Sequence, residues 1–214
     1  MKLLFVHGWG FDAGFWRPLA AQLREWEQVI EDRGYFGAPT GPDAQVEGPC
    51  IAVTHSLGTM RLLAAPPPGL VGLVAINGFA RFTARPDKAG VPVRVVDRMI
   101  RRFAQSPASV LADFRRTCGC PEGEEAADPD TLDTPLLQAD LLRLRDGDSP
   151  PCPVPLLAIH GGRDPLLPPA MREEAFARED AQRIDVPEGG HLLPLEDPAL
   201  CAQAVRGMIG TLAR

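Results

Sequence analysis

The chain has 214 residues, a hydrophobic fraction of 45% and a formal net charge of −6. This length suits one domain with its own hydrophobic core, and the acidic balance gives no indication of binding to nucleic acid or to an anionic membrane. The five cysteines lack the spacing and histidine partners of a zinc site, which favours reduced thiols over a metal centre. Because no apolar run is long enough to span a membrane and no targeting signal is found, we expect a cytoplasmic protein.

Along the chain, short strand patterns alternate with helical ones. The predicted strands cover residues 2–6, 27–30, 51–54, 70–76, 156–160 and 183–186. The predicted helices of this alternation cover residues 15–26, the stretch directly after Ser56, and residues 170–178 and 199–212. The crossover at 34–49 is rich in Gly and Pro and leaves little room for another helix. Strands that alternate with helices predict an α/β fold with a parallel, doubly wound sheet.

Residues 79–151 interrupt this alternation. Helical periodicity covers 93–104, 109–117 and 136–145, and no convincing strand pattern lies between them. We therefore expect a helical lid at 79–151, inserted into a core made of residues 1–78 and 152–214 and hinged at its two ends. Charge is unevenly distributed over this lid. Residues 81–116 carry nine basic and three acidic side chains, whereas residues 122–148 are strongly acidic.

Ser56 lies at a sharp turn between a predicted strand and the helix that follows it. A serine at such a turn holds its hydroxyl clear of the backbone, and the free N–H groups of the helix N-terminus can stabilise an oxyanion beside it. Gly58 matches the last glycine of the pattern G-x-S-x-G, whereas Thr54 replaces the first. On these residues alone, an N-capping serine is the alternative interpretation.

Two further candidates follow the last two predicted strands. Asp164 and His191 each follow their own pair of glycines. The carboxyl ends of parallel strands meet at one edge of a sheet. We therefore expect both side chains to approach Ser56, which gives a nucleophile, an acid and a base. Asp185 and Asp197 remain alternatives for the acid.

The remaining histidines are expected to be structural. His7 and His160 end predicted strands and should hydrogen-bond to loop backbone, whereas His55 adjoins Ser56 with its side chain on another side of the turn. Arg163 is expected to be solvated or to hold its own loop in place.

Together these motifs resemble the α/β-hydrolase superfamily. The shared features are His7-Gly8-Trp9-Gly10 after the first strand, the turn His55-Ser56-Leu57-Gly58, the order Ser, Asp, His along the chain, and the helical insertion. Within this superfamily, the chain is most similar to the carboxylesterases that demethylate pimeloyl-acyl-carrier-protein methyl ester in biotin synthesis. The resemblance implies an α/β-hydrolase fold, trimmed to a mostly parallel sheet of about six strands.

The resemblance also implies roles for individual residues. Ser56, Asp164 and His191 would form the catalytic triad, with an oxyanion hole at the backbone N–H groups of Trp9 and Leu57. The implied substrate-binding residues are Trp9, Leu57, Phe114, Cys118 and His191. Such a hydrolase needs neither a metal nor an organic cofactor. We expect a monomer that acts on an acyl ester carried on acyl carrier protein, without nucleic-acid or membrane partners.

Other functions remain open at this stage. A type II thioesterase would release acyl groups from carrier proteins with the same triad, a generic hydrolase would take small esters, and a receptor would keep the fold without catalysis. The intact set of triad residues argues against the receptor, because ligand binding does not require proton transfer.

The predicted helix at 93–104 has two chemically different sides. Arg94, Arg98, Arg101 and Arg102 fall on one side, and Val96, Met99, Ile100 and Phe103 fall on the other. We expect the apolar side to cover the channel to Ser56. The arginine side is then a docking face for an acidic carrier protein, or simply a solvated surface.

Overall fold

A sheet of six strands forms the centre of the computed structural model, which describes residues 1–41, 46–121, 131–177 and 180–213. The strands are β1 (Lys2–Val6), β2 (Glu27–Glu31), β3 (Cys50–His55), β4 (Leu70–Ile76), β5 (Leu156–Gly161) and β6 (Gln182–Val186). They lie in the order β2-β1-β3-β4-β5-β6, and all neighbours in this described sheet are parallel. The prediction of a mostly parallel sheet of about six strands is confirmed.

Eight α-helices and one 3₁₀ helix occur in the described part of the chain. After the 3₁₀ helix Ala13–Trp16 they are α1 (Arg17–Gln22), α2 (Leu57–Ala64), α3 (Val93–Phe103), α4 (Pro107–Cys118), α5 (Thr134–Asp146), α6 (Pro169–Glu174), α7 (Leu193–Glu196) and α8 (Pro198–Leu212). Asp133 and Asp197 cap α5 and α8, since each carboxylate accepts a backbone N–H of the first turn. The first turn of each helix also contains a proline, which is tolerated there because an N–H at that position would have no acceptor within the helix.

Both faces of the sheet are buried, which explains the apolar strands of the sequence. One face carries Phe5, Val53 and Ile159 and packs on a cluster that includes Leu19 of α1 and Val205 of α8. The other face packs on a cluster that includes residues of α2. Among the described residues, no helix is both long and apolar enough to cross a membrane.

Two helices end earlier than the sequence predicts. The helix expected at 15–26 stops at Gln22, because the side-chain amide of Gln28 donates to the carbonyls of Ala20 and Leu23. The helix expected at 170–178 stops at Glu174, where the guanidinium of Arg183 binds carbonyl oxygens at the end of α6. The predicted end of that helix, at residue 178, lies outside the described residues.

Residues 79–151, called the lid segment here, contain α3, α4 and α5 and no named strand in their described part. The three helices contribute to an apolar cluster that also contains Trp9 and Leu57 of the core. The segment therefore lies over the edge of the sheet where β1 and β3 end. β1 and β3 are parallel, but the order in which the chain adds strands to the sheet reverses between them, and ligands of such sheets bind in the crevice at that point. The acidic stretch predicted at 122–148 falls partly outside the described residues.

Candidate active site

Ser56 sits at the tight turn that joins β3 to α2, with φ 52° and ψ −123°. A positive φ at a non-glycine residue is strained, and it persists only where the surrounding structure enforces it. Here α2 crosses so close to β1 that a Cβ on Gly58 would lie 2.3 Å from the carbonyl oxygen of Val6. Gly8, after β1, is less confined, but a Cβ there would still lie 2.9 Å from Nδ1 of His55 and 3.1 Å from Cβ of Ser56.

Thr54, at the position of the missing first glycine, is accommodated by a hydrogen bond. Its hydroxyl lies 2.7 Å from the hydroxyl of Thr59, in the first turn of α2, and both side chains are buried. The pair satisfies two polar groups that would otherwise be costly to bury. The turn therefore keeps its geometry with threonine at this position.

Asp164 and His191 form a buried pair at the ends of β5 and β6. Oδ2 of Asp164 accepts a hydrogen bond from Nδ1 of His191 at 2.7 Å. The other carboxylate oxygen, Oδ1, accepts the backbone N–H groups of Leu166 and Leu167 at 2.7 and 3.1 Å. Because the carboxylate accepts at Nδ1, the proton of the neutral ring is on Nδ1 and the lone pair is on Nε2.

The two alternative acids lie elsewhere. The side chain of Asp185 is exposed beside Arg183, and that of Asp197 caps α8 through the N–H of Leu200. No contact of either carboxylate with His191 occurs in the described ranges. Among the three candidates from the sequence, the geometry favours Asp164.

Nε2 of His191 is buried and makes no hydrogen bond with any described residue, Ser56 included. The two residues are nevertheless neighbours, since the ring of His191 lies 4.8 Å from that of His55, directly before the serine. Hydrogen bonds between a catalytic nucleophile and its base are often long without substrate and tighten in the reacting complex. Because Nε2 makes no hydrogen bond with a described residue, its lone pair can accept the proton of a serine hydroxyl.

Two residues that the sequence did not single out as site residues hold His191 in place. Nε2 of His55 donates to the carbonyl oxygen of His191 at 2.9 Å, and Nδ2 of Asn77 donates to the same oxygen at 2.8 Å. Burial keeps the pKa of His55 well below its usual value, so this ring stays a neutral donor. Asn77 lies next to the hinge expected before residue 79, but the sequence does not indicate its contact with His191.

Of the two backbone N–H groups expected to form an oxyanion hole, that of Leu57 directly follows Ser56, and that of Trp9 follows Gly8, whose hypothetical Cβ would lie 3.1 Å from Cβ of Ser56. The N–H of Leu57 belongs to the first turn of α2, where backbone donors have no intrahelical acceptor. Neither this N–H nor that of Trp9 donates a hydrogen bond within the described residues. Both donors are therefore available to a ligand.

The aromatic ring of Trp9 packs under the lid segment. It lies edge-on to Phe114 of α4 at 4.8 Å and to Phe103 of α3 at 6.0 Å, and its Nε1 donates to the carbonyl of Leu137 in α5 at 2.9 Å. Phe114 thus contacts the expected site. Cys118 is buried in a different cluster, with Phe11 and Phe15, and burial raises the pKa of its thiol.

Helix α3 has the two sides that the sequence predicts. Val96 and Phe103 are buried against the apolar cluster of the lid segment, and Met99 and Ile100 pack beside them. Arg94, Arg98, Arg101 and Arg102 are exposed. Arg102 pairs with Asp113 of α4 at 2.6 Å, whereas no ion pair of the other three is found in the described part of the chain.

The site is almost closed to solvent. Ser56 and Asp164 are each 7% exposed and His191 is fully buried. A cavity of about 670 Å³ opens at the base of the lid segment, between Phe79, Asp148 and Phe176. Neither Ser56 nor Asp164 nor His191 lines this cavity. The described residues contain no group of three or more candidate metal ligands.

Comparison with known proteins places this geometry in a family. Residues 3–204 match the model of the alpha/beta hydrolase family, so the chain belongs to that family. The biotin biosynthesis bifunctional protein BioHC of Cellvibrio japonicus is 27% identical over 99% of this chain, which spans only 48% of that protein. The pimeloyl-[acyl-carrier protein] methyl ester esterase of Neisseria meningitidis serogroup B is 26% identical over 87% of this chain and 84% of its own.

Solved structures show the same fold at lower identity. The esterase EaEST from Exiguobacterium antarcticum superposes with a TM-score of 0.82 at 17% identity, over 100% of this chain and 92% of that one. A thermophilic esterase from Thermogutta terrifontis gives a TM-score of 0.72 at 20% identity, over 99% and 90% of the two chains. These likenesses concern the fold alone.

Proposed function

We propose that this α/β-hydrolase is a serine carboxylesterase that uses Ser56, His191 and Asp164 as its triad, with pimeloyl-[acyl-carrier protein] methyl ester as substrate. The chain is a carboxylic ester hydrolase by its family and its esterase relatives. The observation that carries the triad is the buried Asp164–His191 pair beside the strained Ser56 turn. The finer substrate assignment rests on the two curated relatives and on the exposed arginines of α3.

In the first half of the reaction, Oγ of Ser56 attacks the ester carbonyl while Nε2 of His191 takes the hydroxyl proton. Asp164 keeps the ring in the required tautomer and stabilises the imidazolium that forms. The carbonyl oxygen becomes an oxyanion, which accepts the N–H groups of Trp9 and Leu57. One such donor contributes roughly 3 kcal/mol to stabilising the transition state.

In the second half, the imidazolium of His191 gives its proton to the departing alkoxide, so that methanol leaves and an acyl-serine ester remains. A water molecule then attacks this ester and passes a proton to Nε2. The second oxyanion collapses, and the proton returns to Oγ of Ser56. The carboxylic acid leaves, and no group of the protein is consumed.

The arginine side of α3 supports the carrier-protein part of the proposal. Arg94, Arg98 and Arg101 are exposed and form no ion pair with any described residue, on a chain whose formal net charge is −6. Such a patch attracts an acidic partner, and the opposite side of the same helix packs over Trp9 and Leu57. A carrier protein docked here would bring its acyl group to the lid over Ser56.

The substrate proposal is tested by measuring kcat/KM for three substrates: the pimeloyl-carrier methyl ester, the same acyl group as a carrier thioester, and a free short-chain methyl ester. The proposal expects the carrier methyl ester to be preferred and the methyl group to be released. Preferred cleavage of the thioester would identify a thioesterase instead. Equal rates on carrier-bound and free methyl esters would identify a generic esterase.

The docking part is tested by charge reversal. Arg98→Glu should lower kcat/KM on the carrier-bound ester, most strongly below about 0.1 M salt, where the Debye length exceeds about 10 Å. Turnover of the free ester should not change. The matched control is Arg24→Glu, the same charge reversal at an exposed residue outside the lid segment, and it should behave like the wild type. Equal losses for both variants would contradict docking at α3.

A further inference from the structure

Among the described residues, side-chain hydrogen bonds join helix α5 of the lid segment to the core at two points, and both lead to the loop after β1. At the first, the indole of Trp9 donates to the carbonyl of Leu137 at 2.9 Å. At the second, one turn further along α5, Asp140 accepts the hydroxyl of Tyr35 at 2.6 Å and Nε of Arg33 at 3.0 Å. Asp140 is only 1% exposed, so its carboxylate depends on these partners.

A chain of hydrogen bonds continues from the second point to Gly8. The backbone N–H of Arg33 donates to Nε2 of His7 at 3.0 Å. Since a backbone N–H can only donate, Nε2 is the bare nitrogen, and Nδ1 carries the proton that it donates to the carbonyl oxygen of Gly8 at 2.8 Å. Burial lowers the pKa of His7, which keeps the ring in this neutral form.

This bond fixes the direction of one peptide group. In a planar trans peptide the C=O and the N–H point in opposite directions. When His7 holds the carbonyl of Gly8, the N–H of the same peptide, which belongs to Trp9, must therefore point away from His7. Gly8 lies against Ser56, as its hypothetical Cβ contact of 3.1 Å shows, so this N–H belongs to the immediate surroundings of the serine.

We propose that His7 is a positioning residue that sets the orientation of the Trp9 N–H as an oxyanion donor, and that Arg33, Tyr35 and Asp140 link this orientation to the docked lid helix α5. The inference rests on the proposed function, in which that N–H binds the oxyanion. It assigns a role in the reaction to four residues, none of which hydrogen-bonds to Ser56 in the described part of the chain. Lid docking and completion of the oxyanion hole are then one event.

A purely structural role of His7 would change other quantities. Loss of a buried hydrogen bond lowers the stability and the amount of folded protein, but it does not weaken the binding of the transition state more than the binding of the substrate. Loss of an oriented oxyanion donor weakens the transition state only, so kcat falls while KM stays nearly constant. The same loss weakens binding of a trifluoromethyl ketone, whose adduct with the serine carries an oxyanion.

The first test uses His7→Leu, with His7→Asn as the conservative variant. Leucine removes the bond to Gly8, whereas the amide of asparagine places an N–H close to the position of Nδ1. We expect His7→Leu to lose about 10²-fold in kcat and in trifluoromethyl-ketone affinity, with KM nearly unchanged. His7→Asn should restore most of both. Rates are normalised to the fraction of chains that a fluorophosphonate labels to completion.

The second test addresses the contact of Tyr35 with Asp140, where the series of hydrogen bonds reaches helix α5. Tyr35→Phe removes the hydroxyl bound to Asp140, and a parallel loss of about three- to tenfold in kcat and ketone affinity is expected. Ser149→Ala is the matched control, because its hydroxyl makes another hydrogen bond from the lid segment to the core, to the carbonyl of Met60 at 3.2 Å. This control should retain wild-type kcat.

The outcomes separate the inference from the proposed function. Wild-type kcat in folded His7→Leu overturns the inference, as does a loss confined to KM or to the number of active chains. Equal effects of Tyr35→Phe and Ser149→Ala overturn the link to the lid. A wild-type protein that neither cleaves esters nor reacts with a fluorophosphonate overturns the proposed function itself.

Discussion

At the scale of single residues, the carboxylate of Asp164 is the most constrained group of the site. One oxygen is occupied by two backbone N–H groups and the other by His191. The carboxylate therefore cannot rotate to offer another oxygen, and the ring opposite it is held in one tautomer. The proposed mechanism depends on this tautomer because it leaves the lone pair on Nε2, the nitrogen that makes no hydrogen bond with any described residue.

Asp164→Asn tests this dependence. The amide can donate its N–H to Nδ1, which favours the tautomer with the proton on Nε2, so we expect kcat to fall by about 10⁴-fold without unfolding. Esterase assays on purified variants, with Asp185→Asn and Asp197→Asn as controls, measure the effect. A comparable loss in either control, with Asp164→Asn active, would move the acid to that residue.

The sequence predicts some contacts of the candidate site and gives no indication of others. The approach of Asp164 to His191 could be predicted because each residue follows a strand and a pair of glycines. The supporting contacts of His55 and Asn77 could not, because they reach a backbone carbonyl 136 and 114 residues away. A carbonyl has no side-chain identity, so no residue pattern marks it. By contrast, the place of His7 at the end of a strand predicts a bond to loop backbone, and its bond to the carbonyl of Gly8 confirms that prediction.

At the scale of elements, the crossing of α2 over β1 sets the geometry of the nucleophile turn. Gly58 has no room for a side chain, whereas Gly210 on the exposed side of α8 has no atom within 4 Å of its hypothetical Cβ. Helix ends were the least predictable feature of the elements. Those of α1 and α6 are set by Gln28 and Arg183, whose effect requires the folded arrangement.

Gly58→Ala and Gly210→Ala form a matched pair of substitutions within helices. We expect Gly58→Ala to shift α2 away from β1 and to lose activity and stability together. Gly210→Ala should raise the free energy of unfolding by about 0.5–1 kcal/mol, because alanine is the better helix former. Urea unfolding and ester hydrolysis measure both. An active, fully stable Gly58→Ala protein would contradict the close approach.

At the scale of the whole molecule, buried neutral histidines make stability depend on pH. Burial lowers the pKa of His7, His55 and His160 from the ordinary value. Below about pH 6.5 the unfolded chain therefore binds protons that the folded chain does not, and the unfolded state gains stability.

The free energy of unfolding should accordingly fall as the pH is lowered from 7 to 5.5. Each of these histidines contributes a slope of up to about 1.4 kcal/mol per pH unit while only its unfolded form is protonated. Urea unfolding at several pH values in this window measures the slope. A free energy of unfolding that is constant or rises toward pH 5.5 would contradict the burial of neutral rings.

The central proposal is that Asp164 after β5 and His191 after β6 activate Ser56, in the turn after β3, as the nucleophile. Mass spectrometry of the protein after reaction with a fluorophosphonate tests it most directly, because the reagent marks a serine activated in this way. We expect one adduct per chain, located on Ser56, no adduct in Ser56→Ala, and much slower labelling of Asp164→Asn. An unlabelled wild-type protein, or an adduct on any other residue, would contradict it.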